Sequence, residues 1–86
     1  MNEIQKYISK NESKMLEDLF SLIRIPSISA KPEHHDDMLA CAERWAQLLI
    51  EAGADEALVM PSKGNPIVFG QKTVDPTAKT VLIYAH

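Results

Sequence analysis

The sequence predicts an α/β fold in which helices flank a mixed sheet, and three observations carry this prediction. Apolar residues recur with a helical period up to about residue 52. The pattern then changes to short β-prone runs that are separated by segments containing proline and glycine. The last of these runs, residues 80–85 (TVLIYA), is apolar on both faces, which is typical of a strand buried in a helix-flanked sheet.

Two helices are predicted first, over about residues 2–8 and 10–24. Asn2 and Gln5 have the spacing of a capping box for the first helix, and Ser9 and Glu12 have it for the second. The apolar residues of the second helix occupy an arc of about 160°, which predicts a surface helix packed on a core. Pro26 ends it, because a residue before proline is pushed out of the α region.

A loop over residues 27–33 leads to a third predicted helix, over about residues 35–52. Asp36 and Asp37 suit the positive end of its dipole, and Gly53 lies where a left-handed residue commonly ends a helix. Its apolar arc is wider, about 200°, so we expect more than one neighbour to cover it.

Three strands are predicted after residue 55, over residues 56–60, 66–72 and 79–86. The first two form a hairpin with a loop of about five residues. The third needs strands on both edges and cover on both faces, so we expect this chain to be the amino-terminal piece of a longer polypeptide.

Composition and charge favour a cytoplasmic globular protein. Of the 86 residues, 45% are hydrophobic and 24% are charged, which excludes a disordered chain. The net charge of −3, without a basic cluster, argues against nucleic acid or an anionic membrane as a partner. The longest apolar run is too short to span a bilayer, the start (MNEIQK) does not have the build of a secretory signal, and one cysteine cannot form an internal disulfide.

His86 is the candidate metal ligand. It directly follows the predicted buried strand, and functional groups of open α/β sheets gather at the carboxyl ends of strands. An imidazole there suits a metal ligand or a general base. The alternative is a histidine without a functional role, because no second ligand stands at a fixed spacing from it. No residue of this chain is assigned a catalytic role.

A second group, His34, His35, Asp36 and Asp37, has metal-binding residue types in an unfavourable arrangement. Adjacent residues of a helix point in different directions, so we interpret these four as a solvated helix start.

Four other residues have chemistry or size that calls for an interpretation. Cys41 lies in the apolar arc and is expected to be a buried structural thiol. Ser27 and Ser29 have no Gly-x-Ser-x-Gly elbow around them and are expected to be loop residues. Trp45, at helical spacing, is expected in the core.

The order of three motifs resembles one enzyme family. These motifs are residues 22–29 (LIRIPSIS), residues 51–53 (EAG) and residues 80–86 (TVLIYAH). They resemble the start of the two-zinc exopeptidases, which include aminoacylases, carnosinases and succinyl-diaminopimelate desuccinylases. Residues 29–33 (SAKPE) and 65–70 (NPIVFG) are most similar to the dipeptidase branch. The resemblance spans about residues 10–86, which is only the opening of a typical member.

This resemblance implies an incomplete zinc-dependent catalytic domain and a smaller inserted domain, absent here, that often mediates dimerisation. His86 occupies the position of a zinc ligand, and an aspartate two residues later would orient it. The bridging aspartate, the glutamate base and the other ligands would also come later. We therefore expect a metallopeptidase that uses two zinc ions to cleave dipeptides or similar small amides and acts as a homodimer, while the 86-residue chain alone is inactive and does not hold the metals.

Two alternatives stay open. In the first, the chain is a non-catalytic α/β module that assembles with another chain through its third strand, as its small size and apolar edge suggest. A lesser alternative keeps the family and makes the substrate an N-acyl amino acid or a desuccinylase substrate.

Overall fold

The computed structural model describes residues 2–85 and combines two helices with a small sheet. Helix α1 (Glu3–Ile23) is followed by a 3₁₀ turn (Pro32–His34), helix α2 (His35–Glu51) and strands β1 (Glu56–Met60) and β2 (Ile67–Gln71). The strands form a two-stranded antiparallel sheet. The general α/β character predicted from the sequence is therefore confirmed in the described residues.

Helix α1 is continuous where the sequence predicted two helices, so the prediction of a break near residue 9 was wrong. The capping box at Asn2 is confirmed: the Gln5 amide donates to Asn2 Oδ1 at 2.8 Å, and the Asn2 amide donates to Gln5 Oε1 at 3.2 Å. The predicted second start does not form. Asn11 instead donates from Nδ2 to the Tyr7 carbonyl one turn earlier, at 2.9 Å, which is compatible with an uninterrupted helix.

Helix α2 has the ends that the sequence predicted, with a 3₁₀ turn added before it. Gly53 has a φ of 106°, in the left-handed region. Its amide donates to the Ile50 carbonyl at 3.0 Å, and the Ala54 amide donates to the Leu49 carbonyl at 3.0 Å. These two bonds form a Schellman motif, which supplies donors to the last carbonyls of the helix.

The hairpin packs one face on α2. Its register pairs Glu56 with Gln71 at one end and Met60 with Ile67 at the other. Because side chains alternate along a strand, Ala57 and Val59 lie on one face, and these two line a shallow cavity against α2. Gly70 lies on the same face, where a Cβ atom would come within 2.9 Å of Leu49 Cδ1. A glycine at position 70 therefore allows the sheet to approach α2 closely.

The third predicted strand does not form in the described residues. Residues 79–85 have no strand structure, and Val81, Leu82 and Ile83 are 81%, 90% and 86% exposed. The expectation that this segment is buried is therefore wrong for the described chain. The physical reason is that a strand is stabilised by pairing and by cover, and no strand beside it supplies either here.

The described residues have very little core. Ala42, at 6% exposure, is the one residue of 2–85 that counts as buried. The accessible surface is 7485 Å², against about 5,100 Å² for a compact protein of this mass. The radius of gyration is 15.3 Å, against about 12 Å for a compact domain of this length.

The two helices differ in how well they are covered. Helix α2 contacts α1 and both strands, which confirms that it has more than one neighbour. The apolar face of α1 was expected to pack on a core. Met15, Leu19 and Phe20 on this face are nearly half exposed, because α2 is the one element of residues 2–85 that contacts α1. No helix within residues 2–85 is both long and apolar enough to cross a membrane.

Candidate functional site

The predicted metal ligand, His86, lies outside the described residues. The described structure ends with the apolar segment that leads to it, residues 80–85. This segment lies exposed beyond the sheet instead of within it. The prediction for His86 therefore stays a prediction, and the described structure bears only on the surfaces that precede it.

The sheet face that points away from α2 is apolar. Leu58 pairs with Phe69 and Met60 pairs with Ile67 across the two strands. We call these four side chains the outer sheet face. They are between 38% and 52% exposed, although β-strand residues of this size normally pack against a second layer. At one end the face becomes polar, where Gln71 Nε2 donates to Glu56 Oε2 at 2.7 Å.

Asp55 holds the connection that leaves β2 towards residues 80–85. Its Oδ2 accepts from the Thr73 amide at 2.8 Å, and its Oδ1 lies 3.2 Å from Lys72 Nζ. The Thr73 amide, and after it the Lys72 ammonium, lower the pKa of this carboxyl from its ordinary value of 3.8. Asp55 was not among the residues singled out from the sequence, where its position directly before β1 is the local signal for this role.

Asp75 holds the next turn of the same connection. Its Oδ1 accepts from both the amide and the hydroxyl of Thr77 at 2.9 Å, and the Ala78 amide donates to its carbonyl at 3.0 Å. The Thr77 amide is the main cause of the lowered pKa of this carboxyl. The Asp75–Pro76 dipeptide is a typical turn signal. The connection between β2 and the apolar segment is therefore structured by two carboxylates.

The histidine and aspartate group at the start of α2 forms a local pair. His34 Nδ1 lies 2.8 Å from Asp37 Oδ2, at hydrogen-bonding distance. Within residues 2–85 there is no group of three or more histidine, cysteine, aspartate or glutamate side chains that could hold a metal ion. His35, Asp36 and Asp37 lie in the first turn of α2, as the interpretation of a helix start expects.

The expectations for the remaining candidates are met only in part. Cys41 is half-buried, so the prediction of a buried thiol was too strong. Trp45 was expected in the core but is 47% exposed, because residues 2–85 form no second layer around it. Ser27 and Ser29 lie in the loop after α1, as expected, and the Ser27 amide donates to the Ile25 carbonyl at 2.7 Å.

A polar network joins the two helices. Arg44 Nε donates to Ser21 Oγ at 3.0 Å, and the same guanidinium lies 3.8 Å from Asp18 and 3.9 Å from Glu51. Lys14 Nζ lies 2.7 Å from Asp18, whose carboxylate raises the pKa of that lysine. Three of these charged residues, Lys14, Asp18 and Glu51, line an open groove of about 270 Å³ between α1 and α2. Because they neutralise one another, we interpret the network as a contact between the helices.

The described residues alone do not fit a two-zinc centre. A catalytic zinc ion usually takes three protein ligands, and residues 2–85 do not bring three candidate ligands together. In comparisons with known proteins, no protein-family model matches this chain, and no solved structure matches it.

Proposed function

We propose that this chain is the opening segment of a zinc-dependent hydrolase of the two-zinc exopeptidase type, in its dipeptidase-like branch. The enzyme would cleave the amide bond of dipeptides or of similar small substrates, and His86 would be one of its metal ligands. This proposal rests on the order of the motifs in residues 22–86 and on one structural observation, the apolar surface that the described residues leave uncovered.

The outer sheet face carries the structural part of this argument. A sheet that is apolar on one face needs one covering layer, whereas this hairpin is apolar on both faces and α2 covers one of them. A sheet that is apolar on both faces is normally covered on both sides, by helices or by a second sheet. The surface supports the finer fold that we propose, in which these residues are one edge of a larger helix-flanked catalytic domain.

Residues 80–85 support the same proposal from a second part of the chain. Full burial of a valine, leucine or isoleucine side chain is worth roughly 1.5–3 kcal/mol, and three of them lie almost fully exposed here. Asp55 and Asp75 keep the preceding connection ordered. A segment with this composition becomes a buried strand once further strands and helices are present, and His86 would then stand at its carboxyl end.

The chain on its own is proposed to be inactive. One imidazole cannot replace the three ligands of a catalytic zinc, and no general base is assigned within residues 1–86. Two zinc ions, the remaining ligands and the base would be supplied by later polypeptide. Assembly as a homodimer, a cytoplasmic location and a small peptide or acyl-amino-acid substrate belong to the same proposal.

The experiment uses the protein encoded by the complete reading frame. Its zinc content is measured by mass spectrometry, and its activity is measured on a panel of dipeptides and N-acyl amino acids. We expect two zinc ions per chain and hydrolysis of dipeptides. His86→Ala should lower activity by a factor on the order of 100 or more and lower the zinc content. His35→Ala is the matched control, an exposed histidine on α2, and should change neither.

Three results would overturn this proposal. The first is a reading frame without an aspartate two residues after His86, the second is a zinc-free protein, and the third is a His86→Ala variant that keeps full zinc content and activity. Hydrolysis of N-acyl amino acids without hydrolysis of dipeptides would retain the family and replace the substrate.

A second candidate function is favoured by the same exposed surface. In this version the chain is a non-catalytic module, and a second copy covers the apolar segment. The accessible surface of the chain exceeds that of a compact monomer of this mass by about 2,400 Å². A standard interface removes about 800 Å² from each partner, so the excess surface is large enough for a dimer interface. Sedimentation of the 86-residue chain at micromolar concentration distinguishes the two: a stable dimer supports the module, and a folded monomer contradicts it.

A further inference from the structure

We draw no further inference here: the strongest candidate, the outer sheet face formed by Leu58, Met60, Ile67 and Phe69 on the side of the hairpin away from α2, carries nothing beyond the proposed function because nothing in the described residues shows what covers it.

Discussion

The strands of the α2–hairpin unit (residues 35–71) and the apolar segment (residues 80–85) are both β-prone and apolar, but they have opposite outcomes. In the first, α2 lies on the sheet closely enough that Gly70 leaves no free space for a methyl group beside Leu49. In the second, valine, leucine and isoleucine side chains extend into solvent. The difference teaches that a β-prone run becomes a strand only where a neighbour offers hydrogen bonds and cover.

The largest expected effect lies in the α2–hairpin unit, at its buried alanine. Ala42→Asp should destabilise the unit by about 3–5 kcal/mol, because it places a carboxylate without a partner in a buried position. Ala40→Asp on the exposed side of the same helix is the matched control and should cost at most about 0.7 kcal/mol through helix propensity. Urea denaturation followed by circular dichroism measures both. Equal losses would show that Ala42 is not in a core.

The second effect concerns the close approach of the sheet to α2. Gly70→Ala should cost about 1 kcal/mol, because the new Cβ meets Leu49 Cδ1 at 2.9 Å and the end of that side chain has to move. Gly64→Ala, in the hairpin loop, meets no atom within 4 Å and should stay within about 0.5 kcal/mol of the parent. The same denaturation experiment compares the two variants. A neutral Gly70→Ala would mean that α2 and β2 pack less closely than described.

A smaller effect is expected where the two regions are joined, at Asp55. Its folded pKa lies below the ordinary value of 3.8, so its contribution to stability is present above that value and is lost as pH falls through the folded pKa. Asp55→Asn should therefore make stability less dependent on pH below about 3.8.

The measurement for Asp55 is acid denaturation followed by fluorescence of Trp45. Glu43→Gln, which changes an exposed carboxylate in the middle of α2, is the control and should leave the acid limb of the curve as it is. An Asp55→Asn variant whose acid denaturation coincides with that of the parent would contradict the role of Asp55 in holding Thr73.

The smallest effect in the 86-residue chain is expected in the apolar segment. Ile83→Asp should change its stability by less than about 0.5 kcal/mol, because this side chain is exposed. In the protein from the complete reading frame, the same substitution should be severely destabilising, since the proposed function makes residues 80–85 a buried strand. Denaturation of both proteins gives the comparison. Similar small effects in the two proteins would contradict the proposal that residues 80–85 form a buried strand.

Local signals predicted most of the α2–hairpin unit. Gly53 marked the end of α2, and the strand β1 was predicted with the bounds that it has in the structure. The same kind of signal failed at Ser9, where a possible capping box lies inside a continuous helix. A cap is one hydrogen bond among many, and the helical residues on both sides of Ser9 outweigh it.

The remaining differences depend on contacts between distant residues. Trp45 was predicted to be buried from its helical spacing, and residues 80–85 because they are apolar on both faces. Burial needs a second layer, which residues 2–85 do not form around them. Asp55 was missed because its role depends on Thr73, which lies 18 residues later. The candidate ligand His86 was predicted from its position after a predicted strand, and it lies outside the described residues.

The most direct test of the central claim is anomalous diffraction at the zinc absorption edge from crystals of the protein encoded by the complete reading frame. The account predicts a zinc peak about 2.0–2.1 Å from an imidazole nitrogen of His86, with residues 80–85 in a strand that is covered on both faces. A His86 ring packed among apolar side chains with no zinc peak beside it would contradict the account.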